Sequence, residues 1–209
     1  MTNQVLPRSC RSDCIKRLTN CAGLRHGKPR YNAFTLIELI LVVGIIMVLA
    51  GLVLTTVGYA RKKGARARAE TEIAAMSAAC ENYKADNGVY PTSDFTNGLD
   101  PRFNGDPTTT GYKFASFDLY TRLSGDSSGT RSPTGKSYMV FKPNMLFPAD
   151  QTLNVQYIQD PFGNSYGYST AYQAWAEGGS SGPQKGYNPT FDLWSTANST
   201  DPNQWIKNW

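Results

Sequence analysis

Residues 39–60 read LILVVGIIMVLAGLVLTTVGYA, with no charged side chain between Glu38 and Arg61. As a helix, those 22 residues rise roughly 33 Å, enough to cross a hydrocarbon core of about 30 Å. Beyond Arg61 the pattern turns amphipathic. Ile73, Met76, Cys80 and Tyr83 fall at i, i+3, i+7 and i+10, while Arg66, Glu70, Glu72, Glu81 and Lys84 take other faces. Asn87-Gly88 supplies a C-terminal stop, and Pro91 follows it. The pattern predicts one helix over residues 34–86, whose second half packs against a folded domain with Cys80 as a small core residue.

After the helix, a stretch rich in Gly, Asp, Asn, Ser and Thr runs as loop to about Lys136. Short strand signals follow at 138–142, 154–158, 165–169 and 191–195, punctuated by Pro143, Pro148 and Pro161. Asp160-Pro161 starts a turn, Gly163-Asn164 can adopt positive φ, and Tyr166 and Tyr168 alternate onto one face. The expected fold class is α+β, a long N-terminal α-helix packed on a small antiparallel β-sheet. So small a sheet needs the helix face to complete its core.

Charge separates the N-terminal stretch from the rest. Residues 1–33 carry Arg8, Arg11, Lys16, Arg17, Arg25, Lys28 and Arg30 against the single acid Asp13. Removing those from the 21 Lys+Arg and 16 Asp+Glu of the chain leaves 14 and 15. The net charge of +5 therefore belongs to the leader and is no nucleic-acid footprint on the folded part. Cys10, Cys14 and Cys21 share that leader, with His26; their spacing matches no common zinc pattern. Only Cys80 lies beyond it, which leaves nothing for an internal disulfide in the remainder.

Three readings of the apolar run compete. A signal peptide would cut after Val48-Leu49-Ala50, but it leaves the apolar character up to Val57 unexplained. A plain single-span anchor leaves Glu38 unexplained, because a carboxylate at the edge of a membrane helix calls for a partner, whether water and headgroups or a cation. The third reading comes from the residues around Glu38. Ala33-Phe34-Thr35-Leu36-Ile37-Glu38-Leu39, followed by an apolar run, resembles the signal of type IV prepilins and type II secretion pseudopilins. The resemblance implies cleavage between Ala33 and Phe34 on the cytoplasmic side, N-methylation of Phe34, and an assembly role for Glu38 opposite the new α-amino group. Ala33 stands where the family usually has glycine, and Thr55 where many members have a helix-breaking proline. Gly44, Gly51 and Gly58 recur every seven residues, a stripe that lets another helix approach closely.

Four later motifs are similar, in the same order, to major pseudopilins of type II secretion systems. They are Asn87-Gly88-Val89-Tyr90-Pro91-Thr92, Asp160-Pro161-Phe162-Gly163-Asn164-Ser165-Tyr166, Phe191-Asp192-Leu193-Trp194-Ser195 and Ile206-Lys207-Asn208-Trp209. The organisation this implies is a leader (1–33), a membrane and assembly half of the helix (34–60), an amphipathic half (61–88) and an exported domain (89–209). Its implied setting is the bacterial inner membrane, single pass, N-terminus cytoplasmic and C-terminal domain periplasmic, in agreement with the basic leader. Implied partners are copies of itself in a homopolymer, other pseudopilins or pilins, the prepilin peptidase and methyltransferase, the inner-membrane assembly platform and membrane lipids. The alternative within the superfamily is a type IV pilin or minor pilin for adhesion, motility or DNA uptake.

No cofactor is expected. Calcium enters only through the resemblance, at Asn198, Ser199, Asp201 and Asn203, where Asp201 is the one carboxylate. Trp175, Trp194, Trp205 and Trp209 lack the interleaved basic residues of a stacking groove and are expected in core or subunit packing. With His26 in the leader, no phosphate-binding glycine loop and no nucleophile elbow, the chain is expected not to be an enzyme.

Overall fold

A computed structural model describes residues 34–209; the expected leader, and Ala33 with it, lies outside the described residues. The elements are α1 (Leu36–Asn87), α2 (Asp94–Gly98), α3 (Thr110–Ser124), β1 (Leu146–Phe147), β2 (Tyr157–Ile158), β3 (Gly167–Ser169), α4 (Ala171–Glu177), β4 (Asp192–Ser195) and β5 (Ile206–Lys207). Two compact units divide between Ala50 and Gly51. Of the first, the described part is Phe34, Thr35 and the opening turns of α1; everything else belongs to the second. The α+β, pilin-like class expected from the sequence is the one observed.

The α1 helix ends where the sequence stops it. Gly88 takes a left-handed φ of 78°, and its N–H donates to the Lys84 carbonyl at 2.7 Å. Within the second unit, the expected stripe is the buried face of α1: Ala69, Ile73, Met76, Ala79 and Cys80 lie in the core, with Tyr83 packed at its edge. Burial pushes the Cys80 thiol pKa far up, so it behaves as a small apolar group. Glu72, expected on a face other than the apolar stripe, is buried beside it. It is satisfied there by Arg68 Nε at 2.6 Å and by the Tyr166 hydroxyl at 2.7 Å. Arg68 also donates to the Asn144 carbonyl at 3.2 Å.

The sheet β3-β4-β5 is antiparallel, with β4 central, and β1 pairs with β2 as a separate ladder. All four residues of β4 are buried, because both of its faces are covered. Leu193 joins the core beneath α1, while Trp194 enters a second cluster with Leu99, Tyr112, Ala115 and Trp205. This is the alternation of a strand placed between two layers. Gly167 lies opposite Trp194 in the ladder, and a Cβ there would sit 2.2 Å from the indole and 2.6 Å from the Tyr112 hydroxyl.

Two expectations differ from the structure. Part of the stretch expected as loop forms α3, whose buried Tyr112, Ala115, Ser116, Leu119, Tyr120 and Leu123 follow a helical period. Residues 138–142 do not form a strand. The N–H groups of Tyr138 and Met139 both donate to the Leu123 carbonyl, at 2.8 and 3.1 Å, so the segment satisfies the end of α3 instead of joining a sheet. The other three expected strands are found within their ranges, shortened to two to four residues, while β1 and β5 lie outside every expected range.

Gly167→Ala will lower stability by roughly 1–3 kcal/mol through overpacking against Trp194. Urea unfolding of the intact chain in detergent, followed by near-ultraviolet circular dichroism, measures this; wild-type stability in the variant would show that the indole has room to move.

Candidate functional site

The candidate site is the start of α1. Thr35 precedes the first helical residue, and its N–H and hydroxyl both donate to Glu38 Oε2, at 3.2 and 3.1 Å. The Glu38 N–H returns a bond to Thr35 Oγ1 at 3.3 Å, and the Leu39 N–H reaches the Thr35 carbonyl at 3.2 Å. This reciprocal pattern is a capping box, in which two otherwise unpaired donors of the first turn are satisfied. Sequence reasoning assigned Glu38 an amine or solvent as partner and missed the cap. The Thr-x-x-Glu spacing at 35–38 carried that signal. Oε1, the other carboxylate oxygen, accepts no hydrogen bond among the described residues.

Phe34 is 80% exposed, and the large apolar side chains after it are exposed along the helix, Leu36, Ile37, Ile40 and Leu54 among them. By length and composition α1 is long and apolar enough to cross a membrane. Around Gly44, Gly51 and Gly58 a Cβ would meet nothing within 4 Å. Each glycine weakens a helix by about 1 kcal/mol relative to alanine, and no contact among the described residues accounts for them.

The C-terminal loop is built differently. Asp201 Oδ1 accepts the N–H and the side-chain amide of Asn203, at 2.9 and 3.0 Å, and so caps a short 3-10 turn. Asn198 Oδ1 accepts from Asn164 Nδ2 at 2.6 Å, and the Ser199 carbonyl accepts from Trp205 Nε1 at 2.9 Å. Calcium takes six to eight oxygens, usually several of them carboxylate. The four residues offer one carboxylate already committed to a turn, and no cluster of three acidic, His or Cys side chains is found among the described residues. This donor set does not fit the ion. Tryptophans organise the region instead: Trp194 stacks on Trp205 with centroids 6.2 Å apart and meets Trp209 edge-on at 5.8 Å.

Asp160 holds the neighbouring turn. Its Oδ1 accepts the N–H groups of Phe162 and Asn164, at 2.9 and 2.8 Å, and its Oδ2 accepts the Ser195 hydroxyl at 2.5 Å. Gly163 supplies the expected positive φ, 94°. The motifs at 160–166 and 191–195 are thus brought together by one buried carboxylate. Tyr166 and Tyr168 reach Glu72 and the Pro91 carbonyl, which ties the same turn region to α1 and to the residues just after it.

Comparison with known proteins places these features. The prokaryotic N-terminal methylation motif matches residues 28–54, which include Phe34 and Glu38. Over 77 residues the chain is 36% identical to the type II secretion system core protein G of Aeromonas hydrophila, covering 37% of this chain and 52% of that protein. The Vibrio cholerae protein of the same name is 38% identical over 65 residues, 31% of this chain and 44% of its own length. That of Pectobacterium carotovorum is 35% identical over 76 residues, 35% and 49%. The chain spans about half the length of the curated relatives it matches. No solved structure matches it.

Burial raises the Asp160 pKa above its ordinary 3.8; the bonds from Ser195, Asn164 and Phe162 work against that, and the charge on Glu72 adds to it. A raised folded value means that this group's contribution to stability is complete below the unfolded pKa. It is then lost as pH rises through the folded one. The cost of Asp160→Asn in urea unfolding will therefore be largest below about pH 3.8 and shrink as the pH rises above it. A cost that grows with pH would contradict the raised value.

Proposed function

We propose that this chain is a subunit of a type II secretion pseudopilus. In this reading it enters the inner membrane through residues 39–60 and is cut between Ala33 and Phe34. It is then methylated at Phe34 and assembled into a helical filament that drives or scaffolds protein export. The observation that carries the reading is a methylation motif whose one acidic residue, Glu38, sits at the start of an exposed, uncharged apolar helix. The similarity to core protein G from several bacteria favours the secretion branch over a pilus. The N-terminus lies in the cytoplasm and the folded domain in the periplasm, in keeping with the basic leader. Partners are other copies, further pseudopilins, the peptidase and methyltransferase, and the inner-membrane assembly platform. The work is mechanical, and no catalytic step is assigned to the chain.

Cleavage creates an α-amino group at Phe34, a positive charge at the edge of an apolar layer. Glu38 neutralises such an amine on its own chain or on a neighbouring subunit. A subunit out of axial register leaves a charge buried and unpaired, at a cost of roughly 3–5 kcal/mol. The cap supports this role, since Thr35 holds one carboxylate oxygen in place and leaves the other open. Gly44, Gly51 and Gly58 then mark the face on which neighbouring helices close.

The N-terminal peptide of the membrane-associated protein, read by mass spectrometry, will begin at N-methylated Phe34; a start at Met1 or Gly51 would remove the basis for this reading. Deletion will stop protein secretion, whereas loss of surface fibres with intact secretion would assign a type IV pilus.

Capping and charge separate by substitution. Glu38→Gln keeps an acceptor for Thr35 but no charge, and Thr35→Ala keeps the charge but no cap. Glu38→Gln and Glu38→Ala will both insert and be cleaved yet fail to form cross-linkable multimers. Thr35→Ala will lose only about 1 kcal/mol of helix-start stability. Normal assembly of Glu38→Gln would show that the hydrogen bond, not the charge, is what matters.

A further inference from the structure

Between Glu38 and Glu70 the chain has no acidic residue, yet five cations gather within eight positions: Arg61, Lys62, Lys63, Arg66 and Arg68. Arg68 is held by Glu72, and one Arg66 nitrogen donates to the Gln204 carbonyl at 2.9 Å. Arg61, Lys62 and Lys63 are exposed and have no hydrogen-bond or ion-pair partner among the described residues. Tyr59, Lys62, Lys63 and Arg66 stand at i, i+3, i+4 and i+7, which puts them on one helix face. Together with Ala67 and Glu70 they line an open groove of about 490 Å³.

The length of the uncharged run sets the level of this groove. With Glu38 at one membrane surface, a helical rise of roughly 33 Å carries Arg61–Lys63 to the opposite one. Tyr59, 72% exposed, falls at the same depth, where aromatic side chains with a polar tip settle. Yet basic residues on the translocated side work against the orientation that the leader dictates. Three unpaired cations kept in that unfavourable place call for an anionic partner there.

We propose that the face formed by Tyr59, Lys62, Lys63 and Arg66 binds the phosphate of an acidic phospholipid in the leaflet that faces the folded domain. The inference rests on the reading that residues 39–60 cross a bilayer. The phosphodiester carries one full negative charge, and the ammonium and guanidinium groups donate to its unesterified oxygens; Tyr59 adds a neutral donor. A zwitterionic headgroup presents the same phosphate with its own cation attached, and so binds these residues less well. The bound lipid fixes the depth of the helix before assembly, and it must be released when the subunit leaves the bilayer.

The test uses the membrane-resident chain in nanodiscs of phosphatidylglycerol and phosphatidylcholine with matched acyl chains. Wild type is compared with a Lys62→Gln/Lys63→Gln variant, and the lipids retained by each are counted by native mass spectrometry. Any cations outside this face weigh equally on both. Each cation near an anionic surface contributes roughly fivefold, so the preference for phosphatidylglycerol will fall at least tenfold in the variant. Lys62→Arg/Lys63→Arg will keep it. Equal retention of the two lipids by wild type, or an unchanged preference in the Lys62→Gln/Lys63→Gln variant, overturns the proposal. Competition by millimolar inorganic phosphate alone would assign the face to a free anion and overturn it too. Alkali-resistant association, read on the same samples, separates the failures. An inserted chain without lipid preference sinks only this inference, while a chain that does not insert sinks the membrane reading with it.

Discussion

The face of α1 formed by Ala69, Ile73, Met76, Ala79 and Cys80 shares one core with Tyr166 just before β3, with Tyr168 and Leu193 from the sheet and with Leu119 and Leu123 from α3. Strands of two to four residues cannot sustain a sheet in water by their own hydrogen bonds. Burying a helix face supplies the apolar area that such a sheet lacks. Tyr166, just before β3, reaches the buried Glu72 carboxylate on α1 through its hydroxyl. Residues after Asn87 thus depend on the helix as much as the helix depends on them to hide its stripe.

At the other end of α1, one carboxylate does two kinds of work. Closing the first turn of a helix leaves donors without partners, and Thr35 with Glu38 resolves part of that locally. The same carboxylate carries the only negative charge in a long apolar stretch. Its geometry is therefore set in advance, which, in the proposed reading, lowers the entropy that docking of the Phe34 amine would cost.

Much of this was legible in the sequence. The apolar run, the stripe from Ile73 to Tyr83 and the stop at Gly88 follow from periodicity and from the backbone freedom of one glycine, and each is local. What was not legible depends on distant partners. Glu72 reads as a surface residue until Tyr166, 94 positions away, meets it. Residues 138–142 have the composition of a strand, but the end of α3 takes their hydrogen bonds. The helix α3 was legible and obscured: its buried positions repeat at helical spacing, but the polar, glycine-rich stretches around it mask the period. At the candidate site, the apolar run and Glu38 were read from residue order. The cap is local too, but the Thr-x-x-Glu spacing coincides with a lone charge at the edge of an apolar run, and the two readings of Glu38 compete.

The pairing of Gly167 with Trp194 reaches beyond this one chain. One position has no side chain, its cross-strand neighbour has the largest, and the pair fills a volume that neither fills alone. Such positions are not free to drift separately. In lineages that descend from this sequence, an alanine or serine at 167 is tolerable only where 194 has already become smaller, and a smaller residue at 194 leaves a void until 167 grows. The two columns should therefore change together, and their joint substitution would trace this packing through sequences too divergent to align elsewhere.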